Sequence, residues 1–381
     1  MIEDFQYCFG LEEEFFLACA VTGELPARVP DDVLEAARRS LGPTVTSEML
    51  QSQIEITSPV FTDCREARRV MIELRRQLAE IAASRELRLI AAGTHPLGTW
   101  HEQVVTYQRR YERLMSDFRI VGQRNLVCGL HVHVAIPPGV DRVDVMNRSV
   151  RWLPLFLALS TSSPFWAGRV SGLLSYRQAL YDEWPRSGIP DFFVDEQDYQ
   201  SFAARLANAG ALQDPGQLWW AIRPAAHLPT LELRIADACT RVEDSVAIAA
   251  LFRCLLATLV ANSELGRRRT THTRRIIDEN RWRAKRDGIR AQFIAEGSSE
   301  VEPVSVVLER TLELIAEQAE RLDCIEALRP LHRILEHGTS AHEQLRIYND
   351  ERASGKSRTE ALRGVLGWLE RATVMDGASL H

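Results

Sequence analysis

Lysine is almost missing from this 381-residue chain: Lys285 and Lys356 are the only two, and the other 44 basic residues are arginines. Any phosphate the protein handles must be met by guanidinium forks or metal ions rather than by ammonium groups. The one suggestive lysine, in Ser354-Gly355-Lys356-Ser357, lacks the glycine that a phosphate-binding P-loop needs five residues before Gly355, where Asp350 stands. That motif is set aside. Positive charge is not in excess either: the formal net charge is -6, so nothing draws the chain generally toward nucleic acid or an anionic membrane. Cysteine is sparse, with seven residues at 8, 19, 64, 128, 239, 254 and 324 and no C-x-x-C pair. Neither a disulfide framework nor a zinc knuckle is indicated, and a reducing, cytoplasmic setting fits best. Long apolar runs are lacking as well. The most apolar stretch, Val246 to Ala261, is short for a bilayer and contains Arg253, so it is read as a buried helix. Met1 to Gly10 carries Glu3 and Asp4, with no basic start and no apolar core, and is not read as a signal peptide.

What remains is an ordinary globular composition. Hydrophobic residues make up 45% and charged residues 26%, which excludes wholesale disorder and leaves enough apolar mass for a sizeable core. Tyr7 to Ala20 reads as a long strand or strand pair, and Gln53 to Pro59 alternates polar and apolar up to a proline stop, with Gln53 and Glu55 on one face. Ala67, Val70, Met71, Leu74, Leu78 and Ile81 recur at helical spacing. Leu87 to Ala92, Val127 to Ile136 and Leu231 to Ile235 read as further strands, and Val150 to Leu159 as a buried helix. Beyond these the pattern is helical, with one stripe through Leu308, Leu312, Ile315, Ala319 and Leu322 and another through Leu362, Val365, Leu366 and Leu369. Gly297-Ser298-Ser299 is the best candidate joint. The division expected is a catalytic body over 1–296 and a helical C-terminal subdomain over 297–381 packed on it.

The chemistry lies on the polar faces of the strands. Glu12 and Glu14 share a face close enough to repel each other unless a cation intervenes. Glu55, the His131 and His133 pair, and Glu232 occupy polar faces of other strands, and Glu48 precedes the second. If these strands share a sheet, their carboxylates converge at a cost that only added positive charge offsets. Two or more Mg2+ or Mn2+ ions would supply it, since oxygen ligands with a single imidazole disfavour structural zinc. Mg2+ that keeps its waters usually shares its coordination with substrate phosphates, which points to ATP.

These residues carry a resemblance. Gly10-x-Glu12-x-Glu14, Gln53-Ile-Glu-Ile-Thr-Ser-Pro59, Gly129-Leu-His-Val-His133 and Leu231-Glu-Leu-Arg-Ile-Ala-Asp237 occur in the order found in the glutamate-cysteine ligase type 2, or carboxylate-amine ligase, family. The last two also resemble strands of glutamine synthetase. Leu218 to Pro224, Asn280 to Ala284, and Gly338 to Ala341 leading to Gln344 are similar to the same family, so the likeness spans roughly residues 7 to 350. It implies an α+β fold of the glutamine synthetase type: a curved, mainly antiparallel sheet carrying the active site, helices on its other face, and a helical C-terminal region. It further implies an ATP-dependent ligase that phosphorylates the γ-carboxylate of glutamate, or a similar amino acid, for attack by cysteine or another small amine. Glu12, Glu14, Glu48, Glu55, His131 and Glu232 would then hold metal, with Glu55 and Arg234 in catalysis and Arg234 on the transferred phosphoryl group. Gln53, His133, Arg177 and Arg223 would face substrate, and Asn280, Arg283 and Arg286 would lie near the nucleotide. A regulatory, nucleotide-binding relative without turnover is the alternative. An RNA surface on the arginine-rich stretch 267–290 is disfavoured, because Trp282 is its only aromatic. No nucleic acid and no membrane is expected as partner, and a homo-oligomer is left open.

Overall fold

The computed structural model describes residues 4–375; Met1 to Glu3, the start of the N-terminal segment discussed above, and residues 376–381 lie outside the described residues. Seven strands form the central sheet: β1 (Phe9–Cys19), β2 (Val45–Ser47), β3 (Gln53–Thr57), β4 (Leu87–Ile90), β5 (Leu130–Ala135), β6 (Ile222–Pro224) and β7 (Thr230–Leu233). Their order is β6-β7-β5-β1-β3-β2, all antiparallel, with β4 pairing with the C-terminal half of β1. The long β1 thus runs through the middle and touches β3, β4 and β5. Alternation along it sends Leu11, Phe15 and Leu17 into the main core together with Ile54, Ile56, Val132, Val134, Leu231 and Leu233. The opposite face carries the acids.

The helices include α1 (Asp32–Leu41), α2 (Cys64–Ala83), α3 (Arg109–Phe118), α4 (Leu153–Ser160), α5 (Tyr176–Tyr181), α6 (Val242–Ala261), α7 (Thr273–Asp287), α8 (Val304–Arg321), α9 (Ser340–Ala353) and α10 (Arg358–Val374). Asp63 caps α2 by accepting from the backbone N–H groups of Arg65 and Glu66, and the expected stripe buries Ala67, Met71 and Leu78. The apolar run is α6. It is long and apolar enough to cross a membrane, but 89% of its most apolar window lies buried within the protein. Arg253 sits inside it fully buried, with its guanidinium satisfied by the carbonyls of Gln6, Tyr7 and Thr62.

The C-terminal helices share this interior. Leu308, Ile315, Ala319 and Leu322 of α8 and its end join the core behind the sheet, while Leu362, Val365, Leu366 and Leu369 of α10 pack with Phe16 and Ile90. Two local expectations are corrected, and the candidate joint takes a definite form. Gly297-Ser298-Ser299 is the turn of a hairpin between Gln292–Ile294 and Val301–Pro303, closed by the Ala295 N–H on the Glu300 carbonyl. The strand expected over Leu231–Ile235 stops at Leu233, and Arg234 instead donates its backbone N–H to Ala221. Val150 to Trp152 forms a 3-10 turn, with the α-helix starting only at Leu153 beside Pro154.

Candidate active site

Register brings the acids together. Glu14 pairs with Glu55 across β1 and β3, Glu12 with His131 across β1 and β5, and His133 with Glu232 across β5 and β7. These partners alternate onto the face away from the main core, so one surface gathers five carboxylates and two imidazoles once Glu48, from the turn after β2, is added. Two groups of ligand atoms result, Glu12-His131-Glu232 and Glu14-Glu48-Glu55, the atoms of each lying within 4.8 Å of one another. All of these residues but Glu232 line a cavity of about 530 Å³.

Several of these side chains are held in place by their neighbours. His131 Nδ1 lies 3.1 Å from Glu12 Oε2, and its Nε2 points between the groups, 3.8 Å from Glu14 Oε1. The Gly129 N–H donates to Glu14 Oε2 at 2.6 Å, and Thr46 and Thr57 donate to Glu55 Oε1 at 3.0 and 3.3 Å. Gly129 is needed for space: a Cβ there would sit 2.3 Å from an Arg177 nitrogen. That close approach explains the glycine of Gly-x-His-x-His. His133 fixes its ring by placing Nδ1 3.0 Å from Thr230 Oγ1, while Nε2 lies 3.3 Å from Glu12.

Electrostatics differ between the two groups. Burial, with the Glu55 charge added, pushes Glu14 up to about 7, although the Arg177 charge opposes the rise. Glu48 is raised well above the ordinary range by burial and by the charges of Glu14 and Glu55, and Glu55 is raised by burial and by Glu12. Glu12 goes the other way. Burial resists its ionisation, but hydrogen bonds to both histidines hold it low. Burial likewise opposes the charge on Glu232, which Arg234 and Arg223 stabilise strongly. Burial lowers His131 to about 4, leaving a neutral imidazole.

This donor set suits a divalent cation. It is hard oxygen with one neutral imidazole per pair of groups, and the buried His131 Nε2 has no hydrogen-bond partner. Three mutually repelling carboxylates in one group would also be relieved by positive charge.

Not every expected residue comes to this cavity. Arg223 and Arg234 line it, both bonded to Glu232, with Arg223 Nε 2.7 Å from Glu232 Oε2. Gln53 is on the same face but spends its amide on the Val127 carbonyl at 2.6 Å. Arg177, expected on a substrate carboxylate, does not line the cavity: it is fully buried, beside Asp237 at 3.9 Å and over the Tyr181 ring, with its charge acting on Glu14. Asp237 itself is tied to Ser162, Ser163 and Ser175. Asn280, Arg283 and Arg286 do not line the cavity either. Asn280 is clamped to the backbone of Ile294 through both ends of its amide, Arg283 bonds Glu279 and the Gln292 carbonyl, and the exposed Arg286 pairs with its neighbour Asp287. The arginine-rich stretch is largely neutralised, with Arg267 on Asp144, Arg274 on Asp191 and Asp278, and Arg281 and Lys285 on Asp182.

The sequence reading missed the opposite wall, made of Met49, Arg110, Tyr111, Leu114, Tyr181, Trp184, the 213–217 segment and Trp219. Trp184 and Trp219 meet edge to face at 5.0 Å, with Phe118 against both. Only Trp219 lay in a segment that had drawn attention.

An antiparallel sheet that presents paired acidic groups beneath an arginine defines a class, the ATP-dependent carboxylate-amine ligases. The chain belongs to Glutamate-cysteine ligase family 2, whose model matches residues 8–365. A protein of Bradyrhizobium sp. strain BTAi1, provisionally named glutamate-cysteine ligase 2, is 43% identical over 371 residues, covering 97% of this chain and 88% of its own. One from Ectopseudomonas mendocina with the same provisional name is 43% identical, covering 97% of each chain. Among solved structures, the glutamate-cysteine ligase of Francisella tularensis, in complex with AMP, superposes with a TM-score of 0.67 at 11% identity, covering 98% of this chain and 90% of that one. A bifunctional glutathione synthetase from Pasteurella multocida gives 0.69 at 14% identity, covering 96% of this chain and 53% of that one. At such identities the likeness concerns the fold, and it agrees with the glutamine synthetase-type sheet expected from the sequence.

Proposed function

We propose that this protein joins glutamate, or a closely similar amino acid, to a small amine such as cysteine at the expense of ATP. The γ-carboxylate oxygen attacks the γ-phosphorus of ATP, the bond to the β,γ-bridging oxygen breaks, and ADP leaves. The amine then attacks the acyl carbon, inorganic phosphate departs, and a proton is lost from nitrogen. The observation that carries this reading is the pair of three-ligand groups side by side on one sheet face, beside Arg234. Glu12, His131 and Glu232 would hold one Mg2+ or Mn2+ and Glu14, Glu48 and Glu55 another. Such ions, when bound, neutralise phosphate charge and stabilise in-line transfer.

The chain's own residues do the rest. Arg234 can present its fork to the moving phosphoryl group while remaining anchored on Glu232. The Thr46 and Thr57 hydroxyls and the Gly129 N–H orient Glu55 and Glu14, so the acidic floor is preorganised. Trp184, Trp219 and Tyr181 line the opposite wall and limit water in the cavity, which protects an acyl phosphate from hydrolysis. None of the seven cysteines needs a catalytic role.

A screen for ADP release with Mg2+, ATP, glutamate and a panel of amines tests the proposal. Glutamate- and amine-dependent ADP release is expected. A protein that binds ATP yet releases no ADP with any pair would instead be a regulatory relative.

A further inference from the structure

Three arginines line the cavity, and two are already committed. Arg223 and Arg234 both bond Glu232, whereas Arg110 has no carboxylate within ion-pair distance among the described residues. Arg110 is nevertheless not a loose surface side chain. Its guanidinium lies over the Tyr111 ring, 4.3 Å from the centroid, and donates to the Tyr111 hydroxyl. Tyr111 is buried and donates in turn to the Ser47 carbonyl at 3.0 Å, immediately before Glu48. Two hydrogen bonds therefore tie the guanidinium to the backbone that carries an acid of the second group. Glu48 and Glu55 line the same cavity as Arg110 and Tyr111. Arg110 is exposed, stacking on the aromatic ring restrains the plane of the fork, and no other group takes its remaining N–H donors among the described residues.

Resting on the ligase reading above, we infer that Arg110 is a specificity-determining residue that holds the α-carboxylate of the amino-acid substrate while its other carboxylate reaches the phosphoryl-transfer floor. A guanidinium with a restrained plane matches a carboxylate in two parallel hydrogen bonds, and one such anchor selects substrates with a second carboxylate over monocarboxylic acids. The substrate class is thus an amino acid with a second carboxylate on its side chain. Arg177, the sequence's candidate for this task, is fully buried and does not line the cavity.

The test compares wild type, Arg110→Met and Arg110→Lys with glutamate and with 4-aminobutyrate, which is glutamate without its α-carboxylate. Hydroxylamine serves as the acceptor and MgATP is saturating. Arg110→Met should lower kcat/KM for glutamate by about ten- to a hundredfold, mainly through KM, as expected for loss of a charge-assisted hydrogen-bonded pair. The rate with 4-aminobutyrate and the KM for MgATP should stay unchanged, and Arg110→Lys should recover part of the loss. Melting temperatures within about a degree of wild type would exclude misfolding. Equal losses with both substrates and a raised KM for MgATP would overturn the inference and place Arg110 on a nucleotide phosphate. An unchanged glutamate KM would overturn it in favour of a plain surface arginine. If wild type releases no glutamate-dependent ADP, the ligase reading fails and takes this inference with it.

Discussion

Glu55 accepts hydrogen bonds from two threonine hydroxyls and faces Glu14 and Glu48. In Glu55→Gln the amide oxygen keeps those acceptor bonds while the charge disappears, so the fold should survive. Mg2+-dependent turnover should fall to background, the metal-free melting temperature should equal or exceed that of wild type, and the rise in melting temperature on adding Mg2+ should shrink. Calorimetry with and without Mg2+, alongside rate measurements, checks all three, and an active variant would remove the metal assignment. Arg234→Lys isolates a different contribution. The ammonium keeps the charge but loses the planar fork, so MgATP should bind nearly normally while kcat drops on the order of a hundredfold. Arg234 also pairs with Glu232 inside a buried cluster. A purely structural arginine would show the opposite pattern, a lower melting temperature with normal kcat in the folded fraction.

At the scale of elements, the glycine of β5's leading edge is the most exacting position. Gly129→Ala would drive a Cβ into Arg177, which is itself fully buried and has nowhere to retreat. Overpacking of this kind costs about 1–3 kcal/mol, and the displaced Gly129 N–H would release Glu14. A lower melting temperature together with weakened Mg2+ stabilisation is therefore expected; a drop in melting temperature alone would show that Gly129 does not position Glu14. Strands were the legible part of this protein, because a period of two forces Glu12 with Glu14 and Gln53 with Glu55 onto shared faces whatever lies around them. Helical residues were not. The direction of Arg177 depends on how α5 packs against Asp237, and Asn280 is claimed by a hairpin fourteen residues later in the chain. The helix carrying Arg110 and Tyr111 reads as an ordinary charged surface helix, so nothing local announces that it walls the cavity.

The whole molecule is organised around β1, which presents Glu12 and Glu14 forward and Glu13 backward. Glu13 makes a buried two-point ion pair with Arg75 of α2, at 2.6 and 2.8 Å, and Arg75 also bonds the carbonyls of Cys239 and Thr240. One strand thus ties the site to the helical layer behind it. We propose that residues 297–381 act as a helical subdomain on which that layer depends, since Leu308, Ile315, Leu331 and Ile334 fill the same core as β1. A chain ending at Glu296 should aggregate or melt without cooperativity, and a soluble, cooperatively folding product would contradict the dependence. The central claim concerns chemistry at the acidic floor, and one isotope experiment reaches it directly. With 18O in the γ-carboxylate of glutamate, and a competent amine and ATP present, the account predicts one 18O in the released inorganic phosphate and ADP as the nucleotide product. AMP and pyrophosphate, with 18O carried into AMP, or inorganic phosphate free of label, would contradict it.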